Sequence, residues 1–411
     1  MPTKAPLLII FLTVFIDLIG FGIVMPLLPI YAKRFGTDAH GWQIGLLMAS
    51  FSAMQFIFSP LWGRLSDRIG RRPVLMVGLA GSVVFYALFG VATTMESLAL
   101  LFTARIGAGI AGATISTAQA YIADVTTLEK RAKGMALIGA AFGIGFTFGP
   151  LFAFLGLPAD ETAHFELSPW PGYAAAILSG IALLIAWFKL PESLKSDVRA
   201  ESRVIFDWRS LSDALATPSL GLLLAAWFLC VFSFANFEST LSLLMREVQG
   251  SPMTIKEICL LFAFIGLVLS LVQGGLVRRL SGRVDEVKLA VFGAATEVVG
   301  FLLLIQVTRS YSLGLVLTAL AVIVSGFAFM TPSVNSLISR RSDPAKQGGI
   351  LGVAQSISSL ARIAGPVAGN VLLATHLVYP LWIAAGVMLV GGAMVLVAGK
   401  RGKDFPGAVG H

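Results

Sequence analysis

Five charged side chains lie deep inside runs of this 411-residue chain that are otherwise apolar. Asp17 comes about ten residues into the run that starts at Leu7, roughly 15 Å deep if that run is a spanning helix. Arg105 is embedded in LLFTARIGAGIAG, Glu238 in FANFEST, Glu297 in ATEVVGFLLL and Arg362 in SLARIAG. An ionisable group at such a depth is costly and is expected to face a cavity or a partner. A carboxyl there can take up and release a proton. An arginine cannot shed its charge and needs a carboxylate, a carbonyl or water. Asp17, Arg105, Glu238 and Glu297 are therefore candidates for proton coupling, with Asp17 or a bound substrate as the counter-charge for Arg105. Each has a structural alternative. Asp17 can be a neutral carboxyl bonded to backbone beside Gly20 and Gly22, Arg105 half of a permanent pair, and Glu297 a buried structural acid. Glu238 and Arg362 are expected to pair, either to bind substrate and gate the outer mouth or as a static strut. Gln55, Gln119, Asn236, Asn335, Gln355 and Arg362 are candidates to line a substrate cavity. Each could equally be a hydrogen bond between helices worth ~0.6 kcal/mol.

These residues need apolar elements to hold them, and composition supplies them. Hydrophobic residues make up 56% of the chain and charged residues 13%, with a mean hydropathy of +0.86. A soluble domain has about 25% charged residues, so the expected solvent is lipid. The net charge of +8 lies in short loops between apolar runs, which argues against a nucleic-acid groove. Cys230 and Cys259 sit in apolar segments, and the four histidines lack ligand spacing, so neither a disulfide framework nor a metal site is expected. Gly107-Ala-Gly109-Ile-Ala-Gly112 fits GxGxxG but falls inside an apolar run, not between a strand and a helix, and reads as packing. There is no GxxxxGK[ST] motif, so no nucleotide cofactor is expected to drive the protein.

Runs of ~20 apolar residues occur at 7–30, 42–63, 74–94, 97–121, 133–156, 172–190, 219–244, 257–277, 289–307, 312–337, 348–374 and 379–399. The first is too long for a cleaved leader and reads as a spanning helix. Twelve spans put both termini on one side. That side carries twenty-three Lys and Arg residues against five on the other, which predicts cytoplasmic termini. The chain also resembles itself. FLTVF (11–15) returns as FLCVF (228–232), the stretch ending at Gly149-Pro150 returns as the one ending at Gly365-Pro366, and GRLSDRIGRR (63–72) has an echo in GGLVRRLSGR (274–283). The expectation is an all-α membrane protein of twelve helices in two six-helix repeats, 1–190 and 219–411. A cytoplasmic linker at 191–218 would join them, with one amphipathic helix near 206–215.

The loop Gly63 to Pro73 combines four arginines with Asp67. We read Gly63, Asp67, Arg68, Gly70, Arg71, Arg72 and Asp124 as a cytoplasmic latch. In it Asp67 faces the start of the eleventh helix, and Arg71 or Arg68 reaches Asp124. The alternative is a loop that only sets topology. Gly139, Gly143, Gly145, Gly149 and Pro150 give the fifth span small residues at close-packing spacing, expected to form a hinge or an interface with the other half.

With these residues in view, the chain resembles the major facilitator superfamily over essentially its full length. More narrowly it resembles the proton-coupled drug antiporter branch that contains the tetracycline efflux pumps. The resemblance rests on Asp17-Leu-Ile-Gly-Phe-Gly-Ile-Val-Met-Pro-Leu-Leu-Pro29, the Gly63–Pro73 loop, Arg105-Ile-Gly-Ala-Gly109 with Ala-Tyr-Ile-Ala-Asp124, Gly139 to Pro150, and Leu-Pro191-Glu192-Ser193. It implies proton coupling at Asp17 and Arg105 and an antiporter's fifth helix. It also implies a monomer in a bacterial inner membrane that uses a small-molecule substrate, protons and the bilayer. Two departures stand out: Phe85 lies where those pumps have an acid in the third helix, and Arg278 lies where the first loop copy has Asp67. The expected function is export of small amphiphilic or drug-like compounds by alternating access. Proton-coupled import of a small metabolite and a receptor without turnover are the alternatives.

Overall fold

The structure, a computed structural model, describes residues 4–37, 40–126, 128–158, 167–194, 218–248, 252–280, 283–342 and 347–402. The linker helix expected near 206–215 lies outside them.

The helices are α1 (Lys4–Val24), α2 (Leu28–Arg34), α3 (Trp42–Ile69), α4 (Arg71–Thr94), α5 (Leu98–Gly112), α6 (Ile115–Val125), α7 (Leu128–Leu155) and α8 (Trp170–Lys189). They continue as α9 (Pro218–Glu247), α10 (Ile255–Leu271), α11 (Arg278–Leu280), α12 (Glu286–Arg309), α13 (Leu313–Arg340), α14 (Gln347–Thr375) and α15 (Tyr379–Arg401). Among the described residues, eleven stretches are long and apolar enough to cross a membrane, and α7 adds a shorter apolar segment, Ala140–Leu155, which is compatible with twelve spans.

Three spans are interrupted, each for a local reason. Pro26 has no amide hydrogen, and the chain turns at Met25–Leu27 before α2 resumes the first span. Between α5 and α6 the hydroxyl of Thr114 donates to the Ala111 carbonyl at 2.9 Å, an alternative to the helical bond. Val272–Val277 forms a π-helical turn between α10 and α11, at the pair Gly274-Gly275.

The chain forms two compact units. The first holds α1, α2, α3 from Leu47 onward, α4 to α8, and α10 as far as Leu267. The second holds the first residues of α3, α9, the end of α10 with its π-turn, and α11 to α15.

Glycines set the helix spacing in both units. In the first, α1 crosses α7 where Gly22 faces Gly145 and Gly149. A Cβ on Gly149 would lie 2.6 Å from the Gly22 Cα and 2.8 Å from the Ile23 nitrogen, so only backbone is in the way. Overpacking there should cost about 1–3 kcal/mol. Gly149→Ala is expected to lower the midpoint of thermal unfolding in detergent by several degrees, and an unchanged midpoint would show that the helices can part freely. In the second unit α12 meets α13 in the same way, since a Cβ on Gly326 would lie 2.6 Å from the Gly293 carbonyl oxygen.

Candidate functional site

The first unit gathers one acid, one base and three hydroxyl-bearing side chains. Asp17, Gly20 and Phe21 share one face of α1, and Ser82 and Tyr86 share one face of α4, because residues three and four apart lie above one another on a helix. Ser179 of α8 donates to Asp17 Oδ1 at 3.0 Å, and Ser82 is the other hydroxyl on that carboxylate. The Tyr86 ring reaches this cluster because position 20 is glycine: a Cβ there would stand 3.1 Å from the ring. Tyr86 is buried, and its phenol interacts with the charges of both Asp17 and Arg105.

Arg105 is only 2% exposed. Its guanidinium carbon lies 4.7 Å from the centre of the Phe51 ring and 5.7 Å from that of Phe21. The two rings are themselves 4.8 Å apart, and Phe146 packs edge-on against Phe21. Ring faces attract the cation, yet Arg105 Nε and Nη1 have no hydrogen-bond partner. Among the described residues no ion pair joins Arg105 to an acid, so of the two expected counter-charges Asp17 is not in contact with it. Gln55 Nε2 donates to the Gly112 carbonyl at 3.2 Å and ties α3 to the end of α5.

In the second unit Glu238 is half-buried and feels the charge of Arg362, which is exposed, without forming an ion pair. Gln119, Gln355 and Arg362 are all exposed, Arg362 near the middle of its span and the two amides nearer the span ends, and Asn335 is half-buried. Hydrocarbon penalises a charge at the depth of Arg362. Asn236 differs. It is fully buried, donates to the Pro380 carbonyl at 3.1 Å and presses its amide oxygen against Gly369. It ties α9 to α15 and packs against α14. Glu297 is also fully buried. Neither carboxyl oxygen has a hydrogen-bond partner, and Glu297 is close enough for its charge to be felt at Cys230, which is bonded to Thr331.

The arginine-rich loop is a compact network. Arg71 pairs with Asp67, donates from Nε to Asp124 Oδ2 at 3.0 Å, and donates from Nη1 to Ser66 Oγ at 2.7 Å. Ser193 Oγ donates to the same Asp124 oxygen at 3.0 Å. Glu192 accepts the backbone N–H groups of Arg71 at 2.8 Å and Arg72 at 3.1 Å, so a carboxylate about 120 residues away in sequence caps the start of α4. Gly70 makes room for it: its φ is +107°, and Glu192 stands where a side chain would project. Arg72 donates to the Trp187 carbonyl at 2.5 Å, and Arg68 is exposed. Asp67 thus serves Arg71 at the end of its own helix. In the sequence Glu192 stood only within the Leu-Pro191-Glu192-Ser193 stretch that carries the resemblance, with no contact assigned to it. Its signals were that stretch and its place directly after the sixth span.

Of the glycines in α7, Gly145 packs on Leu18 and Gly149 on Gly22, both of α1, and the Gly143 carbonyl accepts from Thr147 Oγ1 at 2.9 Å. This small-residue face therefore meets α1, while Phe146 and Thr147 receive Gly266 of α10. The surroundings of Gly139 lie outside the described residues.

A membrane-spanning helical bundle with acids, bases and hydroxyls gathered at mid-depth defines a transporter. The family model of the Major Facilitator Superfamily matches residues 10–366, and the chain belongs to that superfamily. It is 31% identical over 407 residues to the class C tetracycline resistance protein of Escherichia coli, covering 97% of this chain and 96% of that one. It is 30% identical over 421 residues to major facilitator superfamily domain-containing protein 10 of Homo sapiens, covering 89% and 87%. The solved structure of the human organic anion transporter MFSD10 aligns with a TM-score of 0.69 and 27% identity, over 96% of this chain and all of that one. A D-xylose–proton symporter aligns with a TM-score of 0.76 over 99% of both chains at 16% identity, a likeness of fold. The protein is a multi-pass membrane transporter and not an enzyme.

Proposed function

We propose that the protein is a proton-coupled antiporter that exports small amphiphilic compounds. The observation that carries this reading is Asp17: a carboxyl at mid-span, bonded by hydroxyls and left unpaired by Arg105. Hydroxyls can serve either protonation state, because they both donate and accept. A proton can therefore enter and leave without dismantling the site. Loading it changes the charge felt by Tyr86, which also feels Arg105, and so shifts the balance between the two open forms. One proton crossing 100 mV releases ~2.3 kcal/mol, enough to drive a modest uphill gradient. The relatives named for tetracycline resistance support export, and the one named for organic anion transport supports a charged organic cargo.

In this reading residues 1–190 and 219–411 are the two moving halves and 191–218 the linker. The protein works as a monomer in a bacterial inner membrane with cytoplasmic termini. Glu238 with Arg362 and the exposed amides Gln119 and Gln355 line the substrate path, and the Arg71 network is the cytoplasmic latch. Ligand-induced thermal shift across lipophilic cations, tetracyclines, sugars and lipids tests the substrate class. Stabilisation by sugars alone would contradict it.

Among the candidate acids, Glu297 is fully buried with neither oxygen hydrogen-bonded, whereas Asp17 is half-buried and held by hydroxyls, which favours Asp17 as the carrier. Glu297→Gln keeps the shape and is expected to leave proton-driven transport within about twofold of wild type. A loss of tenfold or more in a proteoliposome flux assay would move the proton to Glu297.

A further inference from the structure

The second unit carries its own version of the Arg71 network, with the signs exchanged. Arg71 and Glu286 are 215 residues apart, and Asp124 and Arg340 are 216 apart, the spacing that also relates Gly149-Pro150 to Gly365-Pro366. Arg71 at the start of α4 bonds Asp124 at the end of α6; at the matching places Glu286 begins α12 and accepts from Arg340 Nη1, at the end of α13, at 2.6 Å. Ser336 Oγ adds a second donor to Glu286 at 3.3 Å. The start of α12 is capped from within: Asp285 accepts from the Lys288 amide at 3.1 Å, the task that distant Glu192 performs for α4. Both acids of this corner are thereby engaged. Arg278, which stands where the first copy has Asp67, remains together with Arg279, Arg283 and Lys288. All four are exposed, and among the described residues none pairs with an acid.

The corner that carries these cations is firmly held. Val272, Val277 and Leu289 are buried in one cluster with Ala328 and Phe329 of α13, and Leu280 and Val284 pack against it. The Leu280 carbonyl accepts from the amides of Arg283 at 2.9 Å and Val284 at 3.0 Å, which closes the turn. Apolar side chains point inward from this corner and the four cations point outward. On α12, Lys288, Phe292 and Val299 share one face, four and eleven residues apart, and the two apolar side chains are exposed. Exposed cations at the end of a span, above an exposed apolar face of the same helix, mark a membrane boundary. We propose that this corner is a docking surface for an anionic phospholipid. Its phosphate is taken among Arg278, Arg279 and Arg283, whose planar forks match phosphate oxygens, and its acyl chains lie along Phe292 and Val299. The apolar face decides the occupant. An acidic protein segment would use the cations and leave that face unused, and free phosphate has nothing to lay on it. Setting topology needs positive charge on one side but no preference for a headgroup. The proposal needs only that the chain spans a membrane, and holds whichever acid carries the proton.

The test uses the full chain purified in detergent and reads the midpoint of thermal unfolding during titration with dioleoylphosphatidylglycerol, dioleoylphosphatidylcholine, inorganic phosphate or polyglutamate. The dependence of the midpoint on lipid concentration gives an apparent Kd. Phosphatidylglycerol should bind at least about tenfold tighter than phosphatidylcholine. The combined variant Arg278→Gln, Arg279→Gln and Arg283→Gln should erase that preference, and the three lysine substitutions at the same positions should keep most of it. Removing the same charge from the first unit, by Arg64→Gln, Arg68→Gln and Lys189→Gln, should leave the preference within about twofold. If the triple glutamine variant fails to insert, Arg279→Gln and Arg283→Gln taken singly should each lose roughly threefold. Equal Kd values for the two lipids, a preference that survives the triple glutamine variant, or an equal loss from the first-unit variant would overturn the proposal. So would a shift of the same size with inorganic phosphate, which would make the corner a site for a free anion, or with polyglutamate, which would assign it to an acidic protein segment.

Discussion

Replacing Asp17 with asparagine should abolish proton-driven transport while leaving the protein folded. Asparagine has nearly the shape of aspartic acid and can still accept from Ser179, so the packing of α1 against α8 survives. It cannot exchange a proton, so the step that links the gradient to the substrate is lost. The expected result in proteoliposomes with an imposed pH gradient is a fall of at least about a hundredfold. An interaction essential to one state is not replaced by neighbours. Substrate exchange without a gradient should continue, though more slowly. Binding should weaken but persist, because only one group of the site is changed. Full gradient-driven transport by this variant would move proton coupling away from Asp17.

The largest structural effect is expected from Arg71→Ala. Arg71 is 8% exposed and bonds Asp67, Asp124 and Ser66 through its side chain, so its removal strands two carboxylates at once. Breaking a buried pair by deleting one partner costs about 3–5 kcal/mol. The partial exposure of Asp67 and Asp124 argues for the lower end of that range. Thermal unfolding should shift down by several degrees and transport should fail. Arg71→Lys keeps the charge but can hold only part of the network, and should fall in between. Asp67→Asn should have the smaller effect, because Asp67 is 35% exposed and serves Arg71 alone in this network. Equal losses from Arg71→Ala and Asp67→Asn would mean that Asp124 and Ser66 contribute nothing.

The spans were legible because hydropathy is a one-dimensional signal, and the helices mostly agree with the apolar runs to within a few residues at each end. The interruptions were less so. Pro26 was visible in the first run, but the break at Ala113–Thr114 and the π-turn at Val272–Val277 sit among small residues that fit a continuous helix equally well. At the site, the depths of Asp17 and Arg105 pointed to them directly. What they touch did not follow from depth. Ser179 is 162 residues from Asp17, and in a chain with 29 phenylalanines nothing marks Phe21 and Phe51 as the pair beneath a guanidinium. The same limit hid Glu192, whose partners are two backbone N–H groups with no side-chain signature. Asn236 looked like a cavity residue because it is polar at mid-span, and only the close approach of Gly369 shows that it is sealed.

The central claim is that substrate and proton move in opposite directions through the Asp17 site. The most direct test is substrate-driven proton movement in proteoliposomes that enclose a pH-sensitive dye, with no initial pH gradient. Loading a transported amphiphile inside and diluting the vesicles into substrate-free buffer should acidify the lumen as substrate leaves. The Asp17→Asn variant should show no change. Alkalinisation of the lumen, meaning that protons leave together with the substrate, or the same acidification by the variant, would contradict the account.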